Sequence, residues 1–341
     1  MTVIATPVVR LATVSYFTPL CVIESFLASA RRAHDHFRKA FPRASVHLVI
    51  VDNSPSGVDE PRLKSIVRQC LGMQLSFEIL SGHGNIGYGA ALNRAVLTAD
   101  SDFSVIMNPD IVLESDALTA TVSTFGRYPQ AGLLTPCFLE SGQATHLCKR
   151  FPSLGALLLR RIPVARLPKN WRSLRHRYEM RDLDPHRPKW DPALATGAFM
   201  AFRTALVKRI GGFDENYFLY FEDFDLSIRF RGIGHLLYAP EIRLAHAGGR
   251  STPRVWWRVL ALLRSAWRFW TTHGLPFVHV GEQAGRARLA TEQLLRLHRA
   301  FPPLSKVGRA TTEDVGKWPH RPDPVVLVPQ PETLPALRQI T

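Results

Sequence analysis

Val46-His47-Leu48-Val49-Ile50-Val51, closed by Asp52-Asn53-Ser54-Pro55, is the stretch from which the fold can be read. An apolar, β-branched run ended by turn formers reads as a strand. Working outward, Val8–Ser15 reads as a strand before it, followed by a helix over Leu20–Phe37. Leu75–Leu80 is a third strand, with a helix over Gly89–Leu97, and Phe103–Met107 a fourth, ending in Asn108-Pro109-Asp110. Alternation of apolar runs with helical patterns is the mark of an α/β sheet. Polar residues gather just past the carboxyl ends of these strands, where open α/β sheets bind ligands. Asp52 there can accept from the imide N–H of a pyrimidine base or from ribose hydroxyls. It can equally close the strand as an Asx-turn.

At 341 residues and 46% hydrophobic content, the chain can bury one large core with an appendage. No apolar stretch is long enough to span a bilayer, and the first residues lack a basic-then-apolar leader pattern. Cys21, Cys70, Cys137 and Cys148 show no metal or disulfide spacing, so a reducing cytoplasm is expected. The net charge of +15 is unevenly placed: residues 149–189 carry 12 Lys/Arg against 3 acids, and residues 250–309 carry 11 against 2. The remainder is close to neutral. Such windows suit an anionic partner, whether a membrane surface, a lipid-linked diphosphate or nucleic acid.

Gly211-Gly212-Phe213-Asp214-Glu215, then Tyr220-Phe221-Glu222-Asp223-Phe224-Asp225-Leu226 and Arg229, place five carboxylates within twelve residues among Phe and Tyr. Aromatic neighbours anchor the segment and hold Glu222 and Asp223 partly desolvated, which raises basicity and suits a general base. A helix start, whose dipole favours acids, accounts for the same residues without catalysis. Gly82-His83-Gly84-Asn85-Ile86-Gly87 has the spacing of a dinucleotide fingerprint, which supports an NAD-dependent oxidoreductase as a rival reading. Against it, the run lies in the third β-unit, and the acid at the right distance, Asp102, precedes a strand instead of ending one. Asn108-Pro109-Asp110 offers one carboxylate to a hard cation whose shell substrate phosphates would complete.

Taken in order, these motifs resemble family 2 glycosyltransferases, particularly the rhamnosyltransferase-like branch, over residues 8–255. The resemblance implies a GT-A fold: a mostly parallel central sheet flanked by helices, with a C-terminal helical extension. Composition divides the chain into a domain over residues 1–253 with a basic, weakly periodic insertion at 149–190, a basic helical extension over 254–300 and a Pro-rich polar tail over 301–341 expected to be disordered. The resemblance also implies inverting transfer of a sugar from a nucleoside diphosphate donor, with dTDP-rhamnose suggested by the branch, to a hydroxyl of a cell-surface glycan or lipid-linked acceptor. Asp223 would be the base and Glu222 its aid. Mg²⁺ or Mn²⁺ would be held by Asp110 and by His246, which lies in a His-x-x-Gly-x-Ser-like run. The donor would lie against Asp52, Asn85, Gly87, Asn93, Gly197 and Arg229, with Arg229 also holding the acidic segment. Ser15 and Tyr16 would join them, although Phe17 stands where the family has Asn.

A helix over Arg254–Thr272 places Arg254, Arg258, Arg264 and Arg268 on one arc. Val255, Trp256, Val259, Leu260, Leu263, Trp267, Phe269 and Trp270 take the rest. It reads as an interfacial helix on the inner face of the cytoplasmic membrane or as ordinary packing on the core. A nucleic-acid-binding module is a further alternative resting on the basic windows, but no nucleic-acid motif accompanies them.

Overall fold

The computed structural model describes residues 6–71, 75–140, 142–159, 166–246 and 256–274. The strands are β1 (Val8–Ser15), β2 (Ser45–Asp52), β3 (Ser76–Leu80), β4 (Phe103–Met107), β5 (Ile111–Leu113), β6 (Ala131–Glu140), β7 (Gln143–His146), β8 (Lys189–Trp190), β9 (Phe199–Arg203) and β10 (His235–His246). They form one sheet in the order β3-β2-β1-β4-β9-β6-β10-β5, with β7 on β6 and β8 on β10. The first four strands read from the sequence are all present and mutually parallel. The second half is more mixed than the alternation predicts. β9 runs antiparallel to both β4 and β6, because the chain re-enters the sheet from an insertion lying past the end of β6.

Helices cover both faces. Along β2, Val46, Leu48 and Ile50 face one layer while Val49 and Val51 face the other, as the two-residue strand period demands. The first layer holds α1 (Leu20–Ala40), α2 (Glu60–Leu71) and α4 (Ala117–Arg127). The second holds α3 (Tyr88–Val96), α7 (Thr204–Arg209) and α8 (Glu222–Phe230). α1 forms because Ile23, Phe26, Leu27, Ala30, Ala33 and Phe37 recur at helical spacing and are all buried. It starts after Pro19 and stops at Phe41, where the following Pro42 disfavours helical backbone.

The basic insertion is structured wherever it is described. α5 (Leu154–Leu159) and α6 (Lys169–Tyr178) precede β8, and Lys149 bridges to Leu194. Arg150 is bidentate to Asp182 at 2.8 and 2.5 Å, and the Tyr238 hydroxyl donates to the Pro185 carbonyl at 2.8 Å. The segment is fixed by polar contacts more than by an apolar stripe, which is why it lacks periodicity.

α9 (Trp256–His273) is two-faced, and its division differs from the sequence arc. Ala266, Phe269 and Trp270 pack on Tyr217, Phe221 and Phe224, and Arg268 pairs with Asp214 at 2.6 Å. The exposed face is mainly apolar, with Trp256, Leu260, Leu263 and Trp267, and Arg264 is exposed beside them. Eight apolar residues cover too wide an arc for the sequence alone to say which part meets the core. The side chain of His246, residues 274–300 beyond Gly274 and the tail over 301–341 lie outside the described residues.

Candidate active site

The acidic helix is aimed by its approach. Tyr220 and Phe221 both adopt the left-handed region, with φ of 71° and 69°, a conformation costing roughly 1–2 kcal/mol per non-glycine residue. Burial of Phe221 against Phe224 and Phe269 at 5.6 and 5.2 Å over-determines the strained turn. The first turn of α8 thus brings Glu222 and Asp223 to a cleft of about 560 Å³, lined also by Tyr88, Asn108 and Gly197.

The two acids sit in opposite environments. Asp223 accepts from the Gly197 N–H at 2.7 Å and from the Phe224 N–H at 2.9 Å. Both donors favour its carboxylate form. Glu222 is 5% exposed and its Oε2 is buried without a partner. Burial, then the charges of Asp223 and Asp225, push its carboxyl well above the ordinary range. Environments that separate two acids in this way assign one to hold a proton and the other to take one.

This asymmetry predicts a pH signature for Glu222→Gln. An unfolded glutamate titrates near about 4.3. Between that value and the raised folded value, the folded protein binds more protons, so wild-type stability falls as pH rises. Each pH unit crossed costs about 1.4 kcal/mol, and each kcal/mol is worth roughly 2–4 °C at this size. Thermal melting is therefore expected to show Glu222→Gln gaining on wild type as the pH rises above the ordinary glutamate value. A pH-independent gap would refute the raised carboxyl.

Tyr88, which the sequence reading passed over, organises the site. Its hydroxyl is shared between Asn108 Oδ1 at 2.8 Å and the Gly197 carbonyl at 2.9 Å. Burial, then Glu222, Asp223 and Asp110, raise its pKa, so three acids converge on one phenol. Its place directly after the Gly82–Gly87 run, at the start of a helix, was the available signal. Gly87 just before it must be glycine: its φ is +94°, and a Cβ would lie 2.5 Å from the Phe218 carbonyl oxygen. At Gly197 the approach is looser, with a Cβ position 3.3 Å from the Asp223 Cβ.

The remaining positions divide into two groups. Ser15 and Asp52 are register partners at the ends of β1 and β2. Asp52 accepts from the Ser54 N–H and hydroxyl, both at 2.9 Å, which is the Asx-turn arrangement. Asn53 ties this edge to the glycine loop by donating to the Gly87 carbonyl at 3.0 Å and meeting His83 at 3.0 Å. Asn85 is exposed there, and Tyr16 and Phe17 stand edge to face at 5.1 Å. Asn93 and Arg229 lie behind the site. The Asn93 amide bonds both backbone groups of Phe213. Arg229 pairs with Asp225 at 2.7 Å and donates to the Ile210 and Gly212 carbonyls. Together they clamp the Gly-Gly-Phe turn beneath α8.

Asp110 follows β4, and its Oδ1 is buried without a partner. The backbone of His246 pairs with Ile111, the next residue. Among the described residues no group of three or more His, Cys, Asp or Glu could hold a metal ion. An orphaned carboxylate oxygen beside a cleft nevertheless fits a hard cation that takes most of its oxygens from substrate and water.

A match to the glycosyltransferase-like family 2 covers residues 34–268, and the chain belongs to that family. The protein is a glycosyltransferase of the GT-A fold, and the oxidoreductase and nucleic-acid alternatives fall. Among curated relatives is the N-acetylglucosaminyl-diphospho-decaprenol L-rhamnosyltransferase of Mycobacterium tuberculosis. It is 26% identical over 262 residues, covering 73% of this chain and 79% of the relative. Rhamnosyltransferase WbbL of Escherichia coli is 28% identical over 220 residues, covering 60% and 75% respectively. Among solved structures, the mannosyltransferase PcManGT of Pyrobaculum calidifontis, in complex with GDP-Man and Mn²⁺, superposes with a TM-score of 0.50 at 16% identity. The match covers 86% of this chain and 76% of that one. At that identity the likeness speaks for the fold.

Proposed function

We propose that this protein is an inverting rhamnosyltransferase, taking the sugar from dTDP-rhamnose to a hydroxyl of a lipid-linked glycan. The observation that carries the reading is the Glu222–Asp223 pair: adjacent acids in one cleft, Asp223 bonded by the Gly197 and Phe224 N–H groups and Glu222 buried with an unpartnered oxygen. Asp223 takes the acceptor hydroxyl's proton as its oxygen bonds to the anomeric carbon and the bond from that carbon to the diphosphate breaks. Glu222 keeps its proton and presents a donor beside the incoming hydroxyl. The leaving diphosphate needs no protonation, so a single base suffices where glycoside hydrolysis needs an acid and a base. Tyr88 holds Asn108 and the Gly197 carbonyl in place, and Gly197 in turn orients Asp223. Asp110, with His246, would hold a divalent cation, which when bound supplies charge neutralisation for the diphosphate. Both rhamnosyltransferase relatives support the sugar. Melting in the presence of each of a panel of nucleotide sugars, with and without Mn²⁺, tests the reading. A ligand at 100 times its Kd stabilises by about 2.7 kcal/mol. No preference for dTDP-rhamnose would overturn the donor assignment.

We infer also that the protein meets an anionic membrane surface. No described helix is long and apolar enough to cross a bilayer, but α9 exposes Trp256 and Trp267 at 65% and 66%, with Leu260 and Leu263 between them. Trp at an apolar helix face suits the headgroup boundary, and the strongly basic chain complements anionic lipid. Arg268 is committed to Asp214, so the lipid contact falls to the apolar stripe. Replacing Trp256, Leu260, Leu263 and Trp267 by Ser is expected to release the protein from vesicles of anionic phospholipid in sedimentation, with melting unchanged. Equal sedimentation would assign the stripe no lipid contact.

A further inference from the structure

The wall of the cleft opposite the acids comes from segments that the chemistry above leaves unused. His146 ends β7, Lys149 follows it, and Arg175, Glu179 and Arg181 belong to α6 and the turn after it; all line the cleft that holds Glu222 and Asp223. Glu179 is bound by both arginines, through the Arg175 Nε at 2.8 Å and the Arg181 Nε at 3.0 Å. One carboxylate thus fixes two guanidinium groups; Lys149 adds a third cation and Glu140 a second acid, which leaves these residues one positive charge in excess. His146 is 8% exposed, and its Nδ1 is buried without a partner. Burial and the charge of Lys149 push its pKa down to about 4, so the ring is a neutral hydrogen-bonding group. Arg150, His176 and Arg177 continue the basic surface beyond Arg181, with Asp182 among them. The cleft also carries apolar lining, with Leu157 of α5, Leu262 of α9, and Phe221 and Phe224.

We propose that this wall is the acceptor subsite, with Lys149, Arg175 and Arg181 binding the phosphate of an amphiphilic acceptor and His146 bonding its sugar. The inference rests on the transferase reading and adds to it the residues and the chemical class of acceptor. Guanidinium groups held rigid by a shared carboxylate suit phosphate oxygens, which they can meet with paired N–H donors. Apolar residues in the same cleft would be out of place for a free anion and suit a phosphate joined to a hydrocarbon chain.

Calorimetry tests the subsite with geranyl diphosphate as the probe, the donor groove being saturated beforehand with dTDP and Mn²⁺. Wild type is expected to bind geranyl diphosphate, more tightly than pyrophosphate, and not to bind geraniol. The double variant Arg175→Gln, Arg181→Gln is expected to bind it at least about tenfold more weakly, the low end for hydrogen bonds to charged groups. Its affinity for dTDP is expected to stay at the wild-type value. Lys149→Gln leaves the Glu179 clamp whole and is expected to weaken the probe several-fold, which covers the case of a double variant that fails to fold. Wild-type affinity in Lys149→Gln, or in a folded double variant, overturns the subsite. Pyrophosphate binding as tightly as geranyl diphosphate overturns the amphiphilic acceptor. Loss of dTDP binding in wild type would count against the donor reading instead.

Discussion

Asp223→Asn is expected to lower turnover by a factor of about 10²–10⁴, the range for a positioned general base, while leaving nucleotide-sugar binding close to wild type. The substitution keeps the size of the side chain and its proximity to the Gly197 and Phe224 amides, which now hold the carboxylate at 2.7 and 2.9 Å. It removes the proton acceptor. Steady-state rates with dTDP-rhamnose and an acceptor, alongside calorimetry of the donor, separate the two effects. A variant retaining more than about a tenth of wild-type turnover would show that the proton goes elsewhere. Glu222 would then be the next group to test.

The second large effect is expected at Asp110. Its buried, partnerless Oδ1 is the oxygen assigned above to a diphosphate-bound cation. Asp110→Ala is expected to remove most of the gain in dTDP affinity that Mn²⁺ confers on wild type, at least about tenfold or about 1.4 kcal/mol. Affinity without the cation is expected to change little. Calorimetry in the presence of Mn²⁺ and of a chelator measures the difference directly. An undiminished metal dependence in the variant would move the cation away from Asp110.

Much of the fold was legible because the parallel strands are continuous apolar runs. β1 and β4 coincide with the runs read from the sequence, and β2 extends its run by one residue at each end. The strands of the second half were harder to place, since β9 and β10 pair antiparallel with partners distant in the chain, and no local pattern encodes such a return. The acidic pair was legible through its aromatic flanks, which do become the packing of Phe221 and Phe224 on Phe269. Asn93 and Arg229 match the motif just as well, but their side chains serve the turn behind the site, and a motif alone does not say which side of the backbone a residue serves. The basic wall was read as charge without a place. Its residues come from β7, the loop after it and α6, brought together by contacts to Glu179 and Asp182 rather than by any period.

The inner face of α9 has a practical corollary for handling the protein. His273 meets Asp225 at 2.7 Å with both side chains nearly fully buried, and Phe269 fills the space between Phe221 and Phe224. Shortening the chain to residue 255 to discard the greasy Trp stripe would therefore expose Phe221 and Phe224 to water and leave Asp225 with Arg229 as its remaining ion-pair partner. Exposing large aromatic side chains costs about 1.5–3 kcal/mol for each one uncovered, a large share of a domain's whole margin. A well-behaved preparation should come from keeping α9 and shielding its outer stripe with detergent or lipid, whereas truncation would yield aggregates.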